Sequence, residues 1–270
     1  MKILLFGGSG TIGSELLKLV DCFAPSSKEV DVRSAIEVDK VVRWEKPDCI
    51  VNLAGLASPP DCDTNPEQSY LLNVQSIKNI CHSAAKHCEG IQVINAGSIL
   101  EITNPSCLYS KHKAEAREIA LQYSRLLSIS HLRLCTAETN KRNGFLLAHI
   151  VTGVKNFIKS GKSFYLEDTA APKWVAGANS VADAINKLIN APNPGTIYVG
   201  PRMSLSIEEI FCKITEALGL SVSRAGFEYR DMNNKTVLRF SECPHDVFPV
   251  AGFGKPLYII PKSIPEILGI

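Results

Sequence analysis

The sequence predicts an α/β fold: a doubly wound parallel sheet with a small C-terminal lobe. Three observations predict it. Short apolar strand patterns alternate with amphipathic helix patterns through roughly the first 150 residues, the signature of strand–helix–strand crossovers. A glycine-rich turn, Gly7-Gly8-Ser9-Gly10-Thr11-Ile12-Gly13, joins the first strand directly to the first helix. The chain of 270 residues is 45% hydrophobic and 21% charged, enough apolar material to bury a core.

The elements follow from local pattern. Lys2–Phe6 reads as a strand and Thr11–Cys22 as a helix, with Ile12, Leu16, Leu17 and Val20 at helical spacing. Pro25-Ser26-Ser27 breaks the chain. Ser34-Ala35-Ile36-Glu37 reads as a capping box that opens a helix to Lys46. Pro47-Asp48 ends that helix before the buried strand Cys49–Leu53. Ser58-Pro59-Pro60 begins a polar loop, and Asn65–His87 is a long helix. Gln92–Ala96 is the next strand, Tyr109–Ser124 a helix and Ser128–Cys135 a strand. Further on, Gly144–Lys159 and Val181–Asn190 read as helices and Gly195–Val199 as a strand. A last helix runs to Leu218 from Ser204 or Ser206. The tail holds four of the 15 prolines (Pro244, Pro249, Pro256, Pro261) and reads as loop and short pieces.

Charge and composition exclude several classes. A net charge of +2 gives no electrostatic case for nucleic acid or a membrane surface as partner. No apolar run approaches the ~20 residues of a membrane helix. The apolar start Ile3–Phe6 runs into glycines, which suits a buried strand and not a signal peptide, so a cytoplasmic protein is expected. The nine cysteines are odd in number and form no C-x-x-C pair, as free thiols in a reducing compartment would. Cys81, His82, His87 and Cys88 fall within a predicted helix, and no metal is expected there.

The glycine turn carries the first chemistry. Gly7, Gly10 and Gly13 are spaced G-x-x-G-x-x-G between a strand and an amphipathic helix. Glycine permits the tight turn and brings backbone N–H groups close to a pyrophosphate. Residues 1–140 are therefore read as a dinucleotide-binding Rossmann core. Residues 141–270 are read as a segment that completes the sheet and forms a small substrate-binding lobe over its carboxyl edge.

A second constellation is Tyr109 and Lys113, four apart and on one helix face. An ammonium beside a phenol is expected to favour phenolate and lower its pKa from ~10. Such a tyrosine exchanges a proton with a carbonyl oxygen while hydride moves. Ser98, just past the strand Gln92–Ala96, is placed to hold the same oxygen.

These motifs resemble the short-chain dehydrogenase/reductase superfamily, most closely its extended, sugar-nucleotide-modifying branch and, over Asp31–Gly55, the dTDP-4-dehydrorhamnose reductases. Asn52-Leu53-Ala54-Gly55 is similar to the family's motif after the fourth strand. Asn73 matches its helix asparagine, Tyr109 and Lys113 its Y-x-x-x-K, and Ser98 its serine. Ser180-Val181-Ala182-Asp183-Ala184 resembles its D-V-A segment. The resemblance implies a catalytic set of Ser98, Tyr109 and Lys113. It implies cofactor contacts from Gly7, Ser9, Gly10, Thr11, Ile12, Leu53, Ala54, Gly55, Asn73, Tyr109 and Lys113, with Ser26, Lys28, Asp31 and Val32 at the adenosine end. It also implies pairing of two copies through the helices Asn65–His87 and Tyr109–Ser124. Gly97-Ser98-Ile99-Leu100-Glu101 departs from the family pattern. Ile99-Leu100 lacks the acidic pair of sugar-nucleotide dehydratases, so a dehydratase is not expected.

The expected function is an NAD(P)-dependent reductase acting on a sugar-nucleotide-like carbonyl. A nucleotide-sugar epimerase and a redox-silent NAD(P)-binding regulator are the competing readings. The cofactor preference turns on register. Asp31 lies 18 residues past Gly13, near the ~20 expected for an acidic ribose ligand, which would select NAD(H). In the competing register the second strand is Cys22–Ala24, and its end carries Ser26, Ser27 and Lys28 without a carboxylate. Those groups suit a 2′-phosphate, and the capping residue Ser34 favours this register, so NADP(H) is expected over NAD(H).

Overall fold

The fold was analysed in a computed structural model, which describes residues 1–138, 146–160, 166 and 171–218 and the backbone of 255–258. The first half contains β1 (Ile3–Phe6), α1 (Thr11–Leu16), α2 (Ala35–Glu45), β2 (Cys49–Asn52), α3 (Pro59–Thr64) and α4 (Pro66–Tyr70). A π turn (Leu71–Gln75) joins α4 to α5 (Ser76–His87), and β3 (Gln92–Ser98), α6 (Leu100–Thr103) and α7 (Leu108–Gln122) follow. The second half contains β4 (Ser128–Leu134), β5 (Thr136–Glu138), α8 (Leu146–Ser160), β6 (Pro172–Lys173), β7 (Val175–Gly177), α9 (Ala178–Asn190), β8 (Gly195–Gly200), β9 (Leu205–Ser206), α10 (Ile207–Ala217) and β10 (Lys255–Tyr258).

The main sheet has six strands in the order β1-β2-β3-β4-β8-β10, and every pair is parallel. Side chains alternate between its faces, as strand geometry requires. Ile3, Leu5, Val51 and Ile94 pack on one face against Leu16 of α1 and Val181, Ile185 and Leu188 of α9. Leu4, Phe6, Ile50 and Val93 pack on the other against Val38 and Val42 of α2, Ile77 and Ile80 of α5, and Ala116 and Ala120 of α7. Burial on both sides is why these strands read as unbroken apolar runs. A third cluster joins Leu147, Ile150 and Val154 of α8 to Ile207, Ile210, Phe211 and Ile214 of α10. The expected domain boundary at residue 140 lies outside the described residues, as do the tail prolines Pro244, Pro249 and Pro261. Among the described residues no helix is long and apolar enough to cross a membrane.

Several expectations are corrected. The first helix is a six-residue α1, and turns continue to Leu19. Ser58-Pro59-Pro60 starts helix α3: the Ser58 hydroxyl accepts the Asp61 N–H, and proline suits the first helical positions because it lacks an N–H. β3 continues through Ser98. The capping box at Ser34 is half formed. Its hydroxyl accepts the Glu37 N–H at 3.3 Å, but the Glu37 carboxylate turns to the Asp31 N–H at 2.7 Å. The full capping box is at Ser206 and Glu209, which settles the start of α10.

The register question also has a structural answer. Phe23 bridges Leu4 in parallel, through Leu5 N to Phe23 O and Phe23 N to Ile3 O, both 2.9 Å. The short strand of the second register therefore lies on the free edge of β1, and the chain reverses direction across the sheet between this stub and β2. Open α/β sheets bind ligands at such a switch point.

Candidate active site

A cavity of about 450 Å³ opens at the carboxyl ends of β1, β2 and β3. The glycine turn forms one wall, with Gly7, Gly10, Thr11, Ile12 and Gly13; Leu53 and Gly55 form a second. Ser98, Tyr109 and Lys113 face them, beside Leu134, Cys135, Thr136 and Ala137. Sequence elements 100 residues apart thus meet because parallel strands deliver their C-terminal ends to one edge.

The glycines are spatially required. Gly7 has φ +83°, a left-handed conformation, and a Cβ there would lie 2.6 Å from the Ala54 nitrogen. A Cβ on Gly13 would run into the Gly7 carbonyl oxygen. Gly55 opens onto a polar gap: a Cβ there would lie 2.6 Å from Asn73 Oδ1 and 3.2 Å from Lys113 Nζ.

Asn73 sits in the π turn, a deformation common at functional positions. Its Nδ2 donates to Leu56 O at 3.0 Å and Ser69 Oγ at 3.3 Å, which turns Oδ1 toward Gly55. That Oδ1 is buried and has no hydrogen-bond partner. A buried acceptor without a donor is costly, so this gap suits a hydroxyl or water. Lys113 Nζ, on the same gap, donates to Ala96 O at 2.9 Å.

Tyr109 and Lys113 are both buried on α7, whose N-terminus is capped by the Cys107 sulfur. Nζ stands 5.8 Å from the phenol ring centroid. Burial pushes the Lys113 ammonium down to about 8, with the Glu101 carboxylate pulling back. Burial likewise pushes the Tyr109 phenol up, opposed by its hydrogen bond with Ser98. The expected lowering of the phenol is not met in this structure, where burial is the largest influence on the ring and raises it.

The remaining expected residues divide. Ser9 is exposed at the turn and Ala54 lies between two cavity-lining neighbours. Ser26, Lys28, Asp31 and Val32 lie outside the cavity lining. Ser26 and Lys28 are exposed just past the Phe23 stub, but the strand end is not free of carboxylate as expected: Glu29 Oε2 accepts the Ser26 N–H at 2.7 Å. The Asp31 carboxylate is engaged by the Arg33 guanidinium at 2.7–2.9 Å, which holds it below the usual carboxylate range. The Val32 and Arg33 carbonyls both accept from Asn79 Nδ2 at 3.1 Å.

Sequence reasoning missed Glu101. Read as part of a departing loop, it lies in the helical turn α6 and is buried. Oε1 accepts from Ser98 N and His131 Nε2, both at 2.9 Å; Oε2 accepts from Arg133 Nε at 3.1 Å and Arg117 Nη1 at 3.5 Å. A signal was present: His131 and Arg133 share one face of a strand buried on both sides, and such groups need a partner. A methyl on Gly97 would collide with both His131 and Glu101. Gly97→Ala is expected to destabilise the fold by about 1–3 kcal/mol through overpacking. Urea unfolding checks this, and an unchanged midpoint would show that the network yields freely.

The fold and the site together define an α/β protein of the Rossmann type, with a serine, a tyrosine and a lysine gathered at the sheet's carboxyl edge. The sequence profile of the RmlD substrate binding domain family matches residues 1–97. Over that stretch the chain is similar to this family, and dTDP-4-dehydrorhamnose reductases are among the proteins it resembles. The dTDP-4-dehydrorhamnose reductase of Aggregatibacter actinomycetemcomitans is 24% identical over 140 residues, 46% of this chain and 48% of that protein. The chain thus matches about half the length of that relative. The GDP-6-deoxy-D-talose 4-dehydrogenase of the same organism is 28% identical over 240 residues, 80% of each chain. The crystal structure of dTDP-4-dehydrorhamnose reductase from Bacillus anthracis, in complex with NADP, superimposes with a TM-score of 0.75 at 17% identity, covering 99% of this chain and 96% of that one. That likeness establishes the fold.

Proposed function

We propose that this protein is an NADP(H)-dependent reductase of a nucleotide-linked sugar carbonyl. The observation that carries the reading is a buried phenol beside a serine hydroxyl at a glycine-lined cavity. A protonated phenol is the form needed to give a proton to a carbonyl oxygen. The Ser98 hydroxyl donates to the same oxygen and holds it against Tyr109. The residues fit a nicotinamide dinucleotide. Gly7–Gly13 leaves room for the pyrophosphate, while Asn73 Oδ1 and Lys113 Nζ face a gap suited to a ribose hydroxyl. The bound cofactor supplies the hydride. The relatives' names, a reductase and a dehydrogenase of nucleotide sugars, support the substrate class.

The purified protein is to be mixed with NADPH and dTDP-4-dehydrorhamnose, and separately with NADP⁺ and GDP-6-deoxy-D-talose, following NADPH absorbance. Stoichiometric consumption or formation of NADPH is expected with one of them. Sugar conversion without net NADPH change would make it an epimerase. Cofactor binding without conversion of either sugar would favour the regulatory reading.

The preference for NADP(H) rests on the stub at Phe23, which brings Ser26 and Lys28 to the strand end, and on Arg33 occupying Asp31. NADP⁺ is expected to bind tighter than NAD⁺, and Lys28→Ala to reduce the ratio about fivefold, the worth of about 1 kcal/mol for an exposed charge pair. Calorimetric dissociation constants decide it: a wild-type preference for NAD⁺ reverses the assignment to Asp31.

A further inference from the structure

A chain of buried side chains crosses β2, β3 and β4 beneath the cavity, and its direction can be worked out atom by atom. The Ala54 N–H is a fixed donor, and it bonds Asn52 Oδ1 at 3.3 Å. The Asn52 amide is thereby oriented with Nδ2 toward Asn95 Oδ1, at 3.0 Å. Asn95 Nδ2 then meets His131 Nδ1 at 3.1 Å, so Nδ1 accepts and Nε2 carries the hydrogen. Nε2 donates to Glu101 Oε1 at 2.9 Å, and the same oxygen accepts the Ser98 N–H. Arg133 and Arg117 fill Oε2, so all four acceptor positions of the carboxylate are used.

The chain is dry. Asn52 and Asn95 are each 2% exposed and His131 is 0% exposed. Apolar residues at these positions would have packed without any desolvation cost, so the network is an expensive way to fill a core. Both of its ends lie at the cavity: Ala54 sits between Leu53 and Gly55, and Ser98 faces Tyr109. Ser98 stands where β3 passes into α6, and its hydroxyl accepts the Leu100 N–H at 3.2 Å within that turn.

We propose that Glu101 is a positioning residue for the reaction: its Oε1, oriented by the Asn52–Asn95–His131 chain, fixes the Ser98 peptide and thereby aims the Ser98 hydroxyl at the carbonyl oxygen that Tyr109 protonates. This rests on the reductase reading above. The two carboxylate oxygens have different tasks. Oε1 positions the serine, and Oε2 neutralises charge between two guanidinium groups. Losing the first misplaces a group at the reacting atoms; losing the second weakens the fold.

The test compares Glu101→Gln, Arg133→Met and Tyr109→Phe in the full chain, with the two sugar probes and cofactors above. Glu101→Gln is expected to lower kcat about 10- to 100-fold, the scale of a small misplacement at a reacting centre, with the NADPH dissociation constant unchanged within about twofold. Arg133→Met is expected to lower the melting temperature, because it leaves part of a buried carboxylate's charge uncompensated, and to leave kcat within about threefold. The Ser98 amide proton resonance, held downfield by the carboxylate, should move upfield in Glu101→Gln and stay in Arg133→Met. If Glu101→Gln does not fold, His131→Phe makes the comparison, because it withdraws the side-chain donor to Oε1, together with the acceptor of Asn95 Nδ2, and leaves both guanidinium contacts to Oε2 in place. Wild-type kcat in a folded Glu101→Gln, or an equal kcat loss in Arg133→Met, overturns the proposal. If Tyr109→Phe retains full turnover, or the wild type converts neither probe, the reductase reading fails instead. The Ser98 resonance then decides on its own, and an unmoved signal in Glu101→Gln overturns the positioning role.

Discussion

Tyr109→Phe is expected to reduce turnover by about 10²–10⁴-fold, the usual worth of a positioned general acid, and to leave cofactor affinity within about twofold. The change removes one oxygen from a ring that is 7% exposed and held by the packing of α7. The ring keeps its apolar contacts, so a large kinetic loss with an unchanged melting curve isolates the proton-donating role. Burial raises the phenol in this structure, so the protonated form persists across neutral pH. Steady-state rates with the converted sugar probe check the prediction. Wild-type rates would remove Tyr109 from the chemistry and leave Ser98 as the group nearest the substrate oxygen.

Gly10→Val is expected to weaken NADPH binding by about 100-fold, on the order of the 3 kcal/mol that forced overlap costs. Gly10 is the better position for this test than Gly13. At Gly10 an added Cβ meets just the Gly7 carbonyl oxygen, at 3.0 Å, and φ is −72°, which valine adopts. At Gly13 the Cβ would drive into backbone, so any loss there would mix folding with binding. The valine methyls at Gly10 instead occupy space at the cavity wall where a pyrophosphate must come close to the chain. Fluorescence titration with NADPH, alongside thermal melting, reads both effects. Undiminished affinity in a folded Gly10→Val protein would move the pyrophosphate away from this turn.

Much of the fold is legible in the sequence because parallel strands buried on both faces read as apolar runs, and because amphipathic helices lie between them. The glycine turn and the Tyr109–Lys113 pair are legible for a related reason: each is a local pattern whose geometry follows from a few successive residues. What escapes is nonlocal. Glu101 draws its meaning from Arg117, His131 and Arg133, which are 16, 30 and 32 residues away. The protonation of Tyr109 depends on how completely α7 and β3 exclude water, and spacing does not encode that. Pro59-Pro60 misleads because proline's two roles, breaking a helix and beginning one, differ only by where the cap falls.

The π turn makes the path from Pro66 to His87 sensitive to length in a way that substitution would not reveal. A helix advances about 100° per residue, and a π turn absorbs one surplus residue without lengthening the rod. Upstream of it Ser69 points at His112; downstream Ile77, Ile80 and Ala84 point into the core. The two faces are phased against each other by that one extra residue. A one-residue deletion within Leu71–Gln75 would restore a regular helix and rotate the halves relative to each other. Either Asn73 would leave the gap beside Lys113 or the Ile77–Ala84 seam would turn out of the core. Here the geometry constrains the count of residues more than their identity, as teeth must match between two gears on one shaft.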